Sequence, residues 1–121
     1  MKFSFNWLTE LAEGVTLPPA ELGRLITMRT AECEGVETLP DGDSVLEIDN
    51  KSITHRPDLW GHHGLAREIA AIVDGRLRDP VKPELLPFDA PAIGVEIEDY
   101  ALAQRYSALT FENVTVAPSP E

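Results

Sequence analysis

Residues 45–73, VLEIDNKSITHRPDLWGHHGLAREIAAIV, constrain the fold more than any other stretch of the chain. Val45, Leu46 and Ile48 read as a strand. Residues 50–57 are polar and read as a loop, in which Arg56 precedes Pro57 and is biased towards extended geometry. Asp58 is then placed to cap a helix, with Asn50, Arg56 and Pro57 shaping the turn before it. In that helix Leu65, Ile69, Ile72 and Val73 fall at i, i+4, i+7 and i+8, an apolar stripe that has to be buried. Gly75 reads as a left-handed C-cap.

The flanking sequence supplies the elements that bury it. Residues 2–4 suit a short strand, and Ser4 suits the N-cap of a helix with Trp7, Leu8 and Leu11 on one face. Gly14 stops that helix. A second helix is predicted over 19–29, with Leu22, Leu25 and Ile26 as its apolar stripe. Pro19 fits the first turn, and Glu21 complements the positive end of the dipole. Residues 31–39 alternate weakly and read as a strand; Pro40, Asp41 and Gly42 mark a turn, so this strand and the one at 45–48 should pair antiparallel. The expected core is Phe3, Trp7, Leu8, Leu11, Leu22, Leu25, Ile26, Leu46, Ile48, Leu65, Ile69 and Ile72.

Prolines 80, 83, 87 and 91 then recur every three or four residues, the pattern of an extended linker and a boundary. Beyond it, 93–98 and 106–116 read as strands, too little for an independent domain. The predicted fold is α+β: a three-helix module with a short antiparallel sheet over 1–78, a Pro-rich linker over 79–92, and a hairpin-like segment over 93–121.

Charge narrows the function. Ten basic residues against 21 acidic leave a formal charge of −11, which would mostly repel free nucleic acid and favours solubility or a basic protein partner. Only the middle, 44–79, approaches neutrality, with Lys51, Arg56, Arg67, Arg76 and Arg78 against six acidic residues. No apolar run approaches the roughly 18 residues of a membrane span. The first ten residues do not read as a secretory signal. Cys33, the single cysteine, has no disulfide partner within the chain. A cytoplasmic origin is expected.

The candidate chemical groups read as structural. His55, His62 and His63 suggest a metal site, but neighbours on a helix point about 100° apart, and zinc needs three or four converging ligands. His55-Arg56-Pro57-Asp58 is similar to a kinase catalytic loop spoiled by the proline. Gly61 and Gly64 could cradle a phosphate at a helix start, or let a backbone come close, which is the preferred reading. Trp7 and Trp60 suit core or interface anchors. Cys33 lacks a basic neighbour to activate it, and Asp41 and Asp43 suit a solvated turn. No catalytic, cofactor-binding or metal residue is assigned.

Several segments, in order, resemble bacterial phenylalanyl-tRNA synthetase β chains. They are the opening MKFSFNWL; Leu25-Ile26-Thr27-Met28 leading to Glu32-Cys33-Glu34-Gly35-Val36-Glu37; and Leu46-Glu47-Ile48-Asp49. Arg56-Pro57-Asp58, the run from Gly64 to Ala71, Arg105-Tyr106-Ser107 and Pro118-Ser119-Pro120 complete the set. The resemblance spans nearly the whole chain. It implies an N-terminal β-chain module with a helical core similar to winged-helix DNA-binding folds. It also implies that an OB-fold tRNA-binding module, usual between the Glu-Gly-Val-Glu and Leu-Glu-Ile-Asp strands, is replaced here by residues 38–44. Pro18 stands where the family commonly has a Ser-type cap.

The resemblance implies a non-catalytic structural role. Aminoacylation, with ATP and Mg, resides in the α chain; the partners are that chain and the remaining β-chain modules, with tRNA contacted only indirectly. Residues 93–121 would be the opening strands of an editing-type module. The residues themselves also allow two rivals. One is a small stand-alone nucleic-acid-binding domain using Lys51, Arg56, Arg67, Arg76 and Arg78. The other is a metal-dependent enzyme built on the histidines.

Overall fold

Three amphipathic segments wind into helices: α1, Phe5–Leu11; α2, Pro19–Arg29; and α3, His62–Ile72. The computed structural model describes residues 1–85 and 93–119. Pro87 and Pro91 of the predicted linker, with Pro120 and Glu121, lie outside them. The chain divides into two units, Met1–Val81 and Lys82–Glu121.

In the first unit β1 (Lys2–Ser4), β3 (Cys33–Thr38) and β4 (Ser44–Ile48) form an antiparallel sheet in the order β1-β4-β3. Leu46 sits opposite Phe3 on one side and Val36 on the other. The N-terminal ammonium donates to the Ile48 carbonyl at 2.6 Å, extending the β1–β4 ladder by one residue. β3 and β4 close through a three-residue loop. The Gly42 N–H donates to the Leu39 carbonyl and the Leu39 N–H to the Asp43 carbonyl, with Gly42 at φ +90°. This is a hydrogen-bonded turn ending in a left-handed residue, a conformation that favours glycine at that place. The α+β architecture and the antiparallel pairing agree with the sequence.

A second, two-stranded ladder has no counterpart among the strands predicted from sequence. β2 (Ala12–Glu13) pairs antiparallel with β5 (Arg76–Leu77), tying the end of α1 to the end of α3. It also explains Gly75, whose expected role needs correction. The left-handed residue after α3 is Asp74, at φ +53°, and the Gly75 N–H reaches back to the Ala70 carbonyl at 2.8 Å, completing a Schellman motif. Glycine is required one place later because a Cβ on Gly75 would lie 2.2 Å from the Glu13 carbonyl oxygen of the neighbouring strand.

The core lies between the sheet and the helices: Phe3, Leu8, Leu11, Leu22, Ile26, Leu46, Ile48, Leu65 and Ile69 are all buried. Ala12, Ala31, Ile53, Leu59, Ala66 and Ala70 join them. Trp7 is a correction, since 53% of it is exposed. Leu8, Leu11 and Ala12 at i, i+3 and i+4 form the buried stripe of α1, and the residue before Leu8 is turned about 100° away from it. Leu25 and Ile72 are half-buried, at the edges of their stripes.

Contrary to the sequence expectation, Asp58 does not cap α3. The N-cap is Gly61, with no side-chain bond, and a 3-10 turn over Pro57–Trp60 intervenes. Pro57 starts this turn, and the Asp58 carboxylate is taken by arginines. Pro18 at the start of α2 likewise gives no side-chain cap; its carbonyl accepts from the Glu21 and Leu22 N–H groups.

In the second unit a 3-10 turn over Pro83–Leu85 interrupts the predicted extended linker. The strands expected at 93–98 and 106–116 do not form among the described residues. A strand is held by a paired ladder and a buried face. Tyr106, Phe111 and Val116 have neither here, and all are largely exposed.

Three substitutions test the packing of α3. Ile69 is fully buried, so Ile69→Ala should cost about 2–5 kcal/mol in urea unfolding. A Cβ on Gly64 would fall 1.6 Å from the Asp58 carbonyl oxygen. Gly64→Ala should therefore cost at least the roughly 1–3 kcal/mol of an overpacked core, whereas Gly61→Ala, with open space around it, should change stability far less.

Candidate functional site

Two polar clusters flank the start of α3; one originates in the turn that precedes it and the other at His62, the first residue of the helix. In the first, Asp58 sits between two arginines. Arg56 donates through Nε and one terminal nitrogen to the two carboxylate oxygens, each at 2.9 Å, and Arg67 donates to Oδ2 at 2.8 Å. Arg56 also reaches Glu68 at 3.2 Å, and Glu68 accepts from the Thr30 hydroxyl at the end of α2. The Arg56 guanidinium holds Asp58 at about 2, well below the usual carboxylate range, while Asp58 and Glu68 raise Arg56. All these side chains remain partly exposed. The fork-to-carboxylate geometry is strong in direction and weak in net energy at a solvated surface. It fixes the turn against α3 and α2.

The second cluster surrounds His62. Its ring stacks on Trp7 with centroids 4.1 Å apart and meets Phe3 edge-on at 5.1 Å. Its Nε2 accepts from the Ser4 N–H at 3.0 Å. Ser4 is the N-cap of α1, its hydroxyl accepting from the Trp7 N–H and donating to Asp43 at 2.6 Å. Asp43 also accepts from the Asn6 and Ser44 N–H groups. These donors, the Ser4 hydroxyl first, lower the Asp43 pKa, and burial lowers that of His62. Asp43 thus ties the β3–β4 turn to the first turn of α1.

The remaining candidates are dispersed. His55 and His63 are exposed, and among the described residues no three His, Cys, Asp or Glu side chains gather as a metal cage. Of the five cations, Arg56 and Arg67 share Asp58, Arg78 lies 3.4 Å from Glu10, and Lys51 and Arg76 are exposed. Asn50 contributes its backbone, the carbonyl accepting from the Ile53 N–H. Trp60 is half exposed, its indole N–H donating to the Ile53 carbonyl at 3.2 Å.

A groove of about 410 Å³ runs between α2 and β3, lined by Ala20, Gly23, Thr27, Met28, Cys33 and Val36. Gly23 permits the close approach, since a Cβ there would meet the Cys33 sulfur at 2.9 Å. Burial raises the Cys33 pKa, so the thiol is protonated at neutral pH. The groove is mostly apolar, with Arg24 also in its lining, and offers no activated nucleophile. No helix among the described residues is long and apolar enough to cross a membrane.

Comparison with known proteins gives a consistent family. The chain is 37% identical to the phenylalanine–tRNA ligase beta subunit of Solibacter usitatus, over 99% of its own length and 28% of that protein. It is 34% identical to that of Rhodopirellula baltica, over 100% of the chain and 18% of the relative. A third relative, from Leptospira biflexa, is 38% identical over 64% of the chain and 10% of its own length. The Solibacter match runs over 218 positions against a chain of 121 residues, so a block of that protein has no counterpart here. The Rhodopirellula match needs only 123 positions for the whole chain and includes no such block. No family model matches, and no solved structure matches. The chain is thus homologous, along nearly its whole length, to the N-terminal region of bacterial phenylalanine–tRNA ligase beta subunits, and it spans 28% and 18% of the length of the Solibacter and Rhodopirellula relatives.

Proposed function

We propose that the chain is a non-catalytic structural and assembly module of a phenylalanine–tRNA ligase beta subunit, part of the machinery that charges tRNA(Phe) with phenylalanine. The observation that carries this reading is the use made of the polar groups. Asp58, Arg56, Glu68 and Thr30 join turn, α3 and α2, and Asp43, Ser4 and His62 join hairpin, α1 and α3. These groups satisfy one another and do not converge on a cavity. Among the large apolar side chains of this unit, Trp7, Trp60 and Met28 stay exposed. Exposed tryptophans of this kind are common anchors of protein contacts.

In this reading the partners are the remaining beta-chain modules and the alpha chain, which brings the ATP and magnesium chemistry. The enzyme works in the cytoplasm and tRNA is met only indirectly. The block absent relative to the Solibacter protein is the tRNA-binding OB-fold module, and its place is the β3–β4 turn. The family resemblance would also make the helices a winged-helix-like unit. A nucleic-acid-binding role through Lys51, Arg56, Arg67, Arg76 and Arg78 is disfavoured by the charge of −11 and by the pairing of three of those arginines with carboxylates.

The test uses the Rhodopirellula enzyme with the matching stretch deleted from its beta subunit. Deletion should abolish assembly with the alpha chain, and supplying this chain in its place should restore both the complex and tRNA(Phe) charging. An unimpaired deletion enzyme would overturn the assembly role. The chain alone, titrated with tRNA at low salt, should show no binding of the kind that weakens steeply as salt rises; such binding would favour the nucleic-acid role.

A further inference from the structure

We propose that His62 is a pH-sensitive joint between α1 and α3, clasping Ser4 while neutral and letting it go on protonation. The geometry fixes the starting state. Nε2 accepts the Ser4 N–H, so its lone pair is free and the ring proton resides on Nδ1. A proton on Nε2 would set donor against donor at 3.0 Å. His62 is also the first residue of α3, where the positive end of the helix dipole opposes a cation. Its ring lies between Phe3 and Trp7, away from full hydration.

The groups facing the ring determine how the joint responds to a proton. β1 contributes Phe3 and Ser4 and α1 contributes Trp7, none charged; the β3–β4 turn contributes the Asp43 carboxylate. Asp43 is held ionised by the Ser4 hydroxyl and the Asn6 N–H, so it is still an anion when His62 titrates. A protonated His62 therefore loses Ser4 and gains an attraction to Asp43. Asp43 is the group that holds Ser4 and Asn6 at the start of α1. α1 has only seven residues, with no acidic side chain in its first turn and no basic one in its last. A helix this short depends on its caps and packing, so the proton that disturbs Asp43 also loosens α1.

The direction of the shift sets the sign. Burial puts the folded pKa of His62 below its ordinary 6.5. The unfolded chain therefore takes up the proton first. The contribution of the clasp to stability is whole above pH 6.5 and is lost as pH falls below it.

The test monitors Trp7 emission from pH 7.5 to 5 in the full chain carrying Trp60→Phe, which leaves one tryptophan, with helix content measured alongside. A single transition with its midpoint below 6.5 is expected. His62→Gln, which keeps an acceptor but cannot titrate, should abolish it, and His63→Gln should leave it in place. Flat emission, or a transition that survives His62→Gln, overturns the proposal. Should His62→Gln fail to fold, the ring resonances of His62 in the unsubstituted chain decide: a midpoint at or above 6.5 overturns it.

Discussion

The fold depends on how closely the start of α3 can approach the turn before it. The Asp58 carbonyl lies where the side chain of residue 64 would begin, and only glycine leaves room for it. That approach seats Leu65, Ala66, Ile69 and Ala70 in the core, with Leu59 of the turn beside them. Interiors are packed as densely as crystals, so a shift at this point would be felt along the whole buried stripe. The other helices meet α3 on that footing: α1 through Leu8 and Leu11, α2 through Leu22 and Ile26.

The polar residues around this contact act as ties between segments distant in sequence. Glu68 of α3 accepts from Thr30, 38 residues away, and His62 accepts from Ser4, 58 residues away. Each bond is modest at a partly solvated surface. Their value lies in geometry, because each fixes the angle at which one element leaves another. Trp7, Trp60 and Met28 stay exposed among the polar surface residues of this unit.

Much of the architecture is legible in the chain because it is carried by local patterns. The 3.6-residue period locates α2 over 19–29, and Pro40-Asp41-Gly42 locates the hairpin turn. The features that escape a sequence reading depend on neighbours remote in the chain. Asp58 looks like a cap because caps are local, yet two arginines compete with the helix for it and win. The β2–β5 ladder has two residues on each side, too few to show alternation. Gly75 is visible as a helix terminator, but its reason, the Glu13 carbonyl beside it, lies in another strand. Residues 106–116 read as a strand from sequence, yet among the described residues they pair in no ladder. At the candidate clusters the sequence shows the residue types, while the pairing of His62 with Ser4 and Trp7 exists only once the chain has folded.

The β3–β4 turn is where chain length and helix stability meet. Thr38 and Ser44 are paired across the ladder, so the chain leaves and re-enters the sheet at neighbouring points. Strand ends that adjoin can accept a long excursion or a tight turn at nearly the same backbone geometry, since closure entropy grows only slowly with length. Two relatives that match nearly the whole chain differ in the length of the matched region, one with a large unmatched block and one without it. In this chain the short connection is more than a splice. Leu39, Gly42 and Asp43 close the hairpin through their backbones, and the Asp43 side chain then turns inward to Ser4 and Asn6. A turn that also supplies the anion at the start of a helix couples the length of the loop to the stability of α1, so a chain that carries a longer excursion at this point must satisfy those donors in another way.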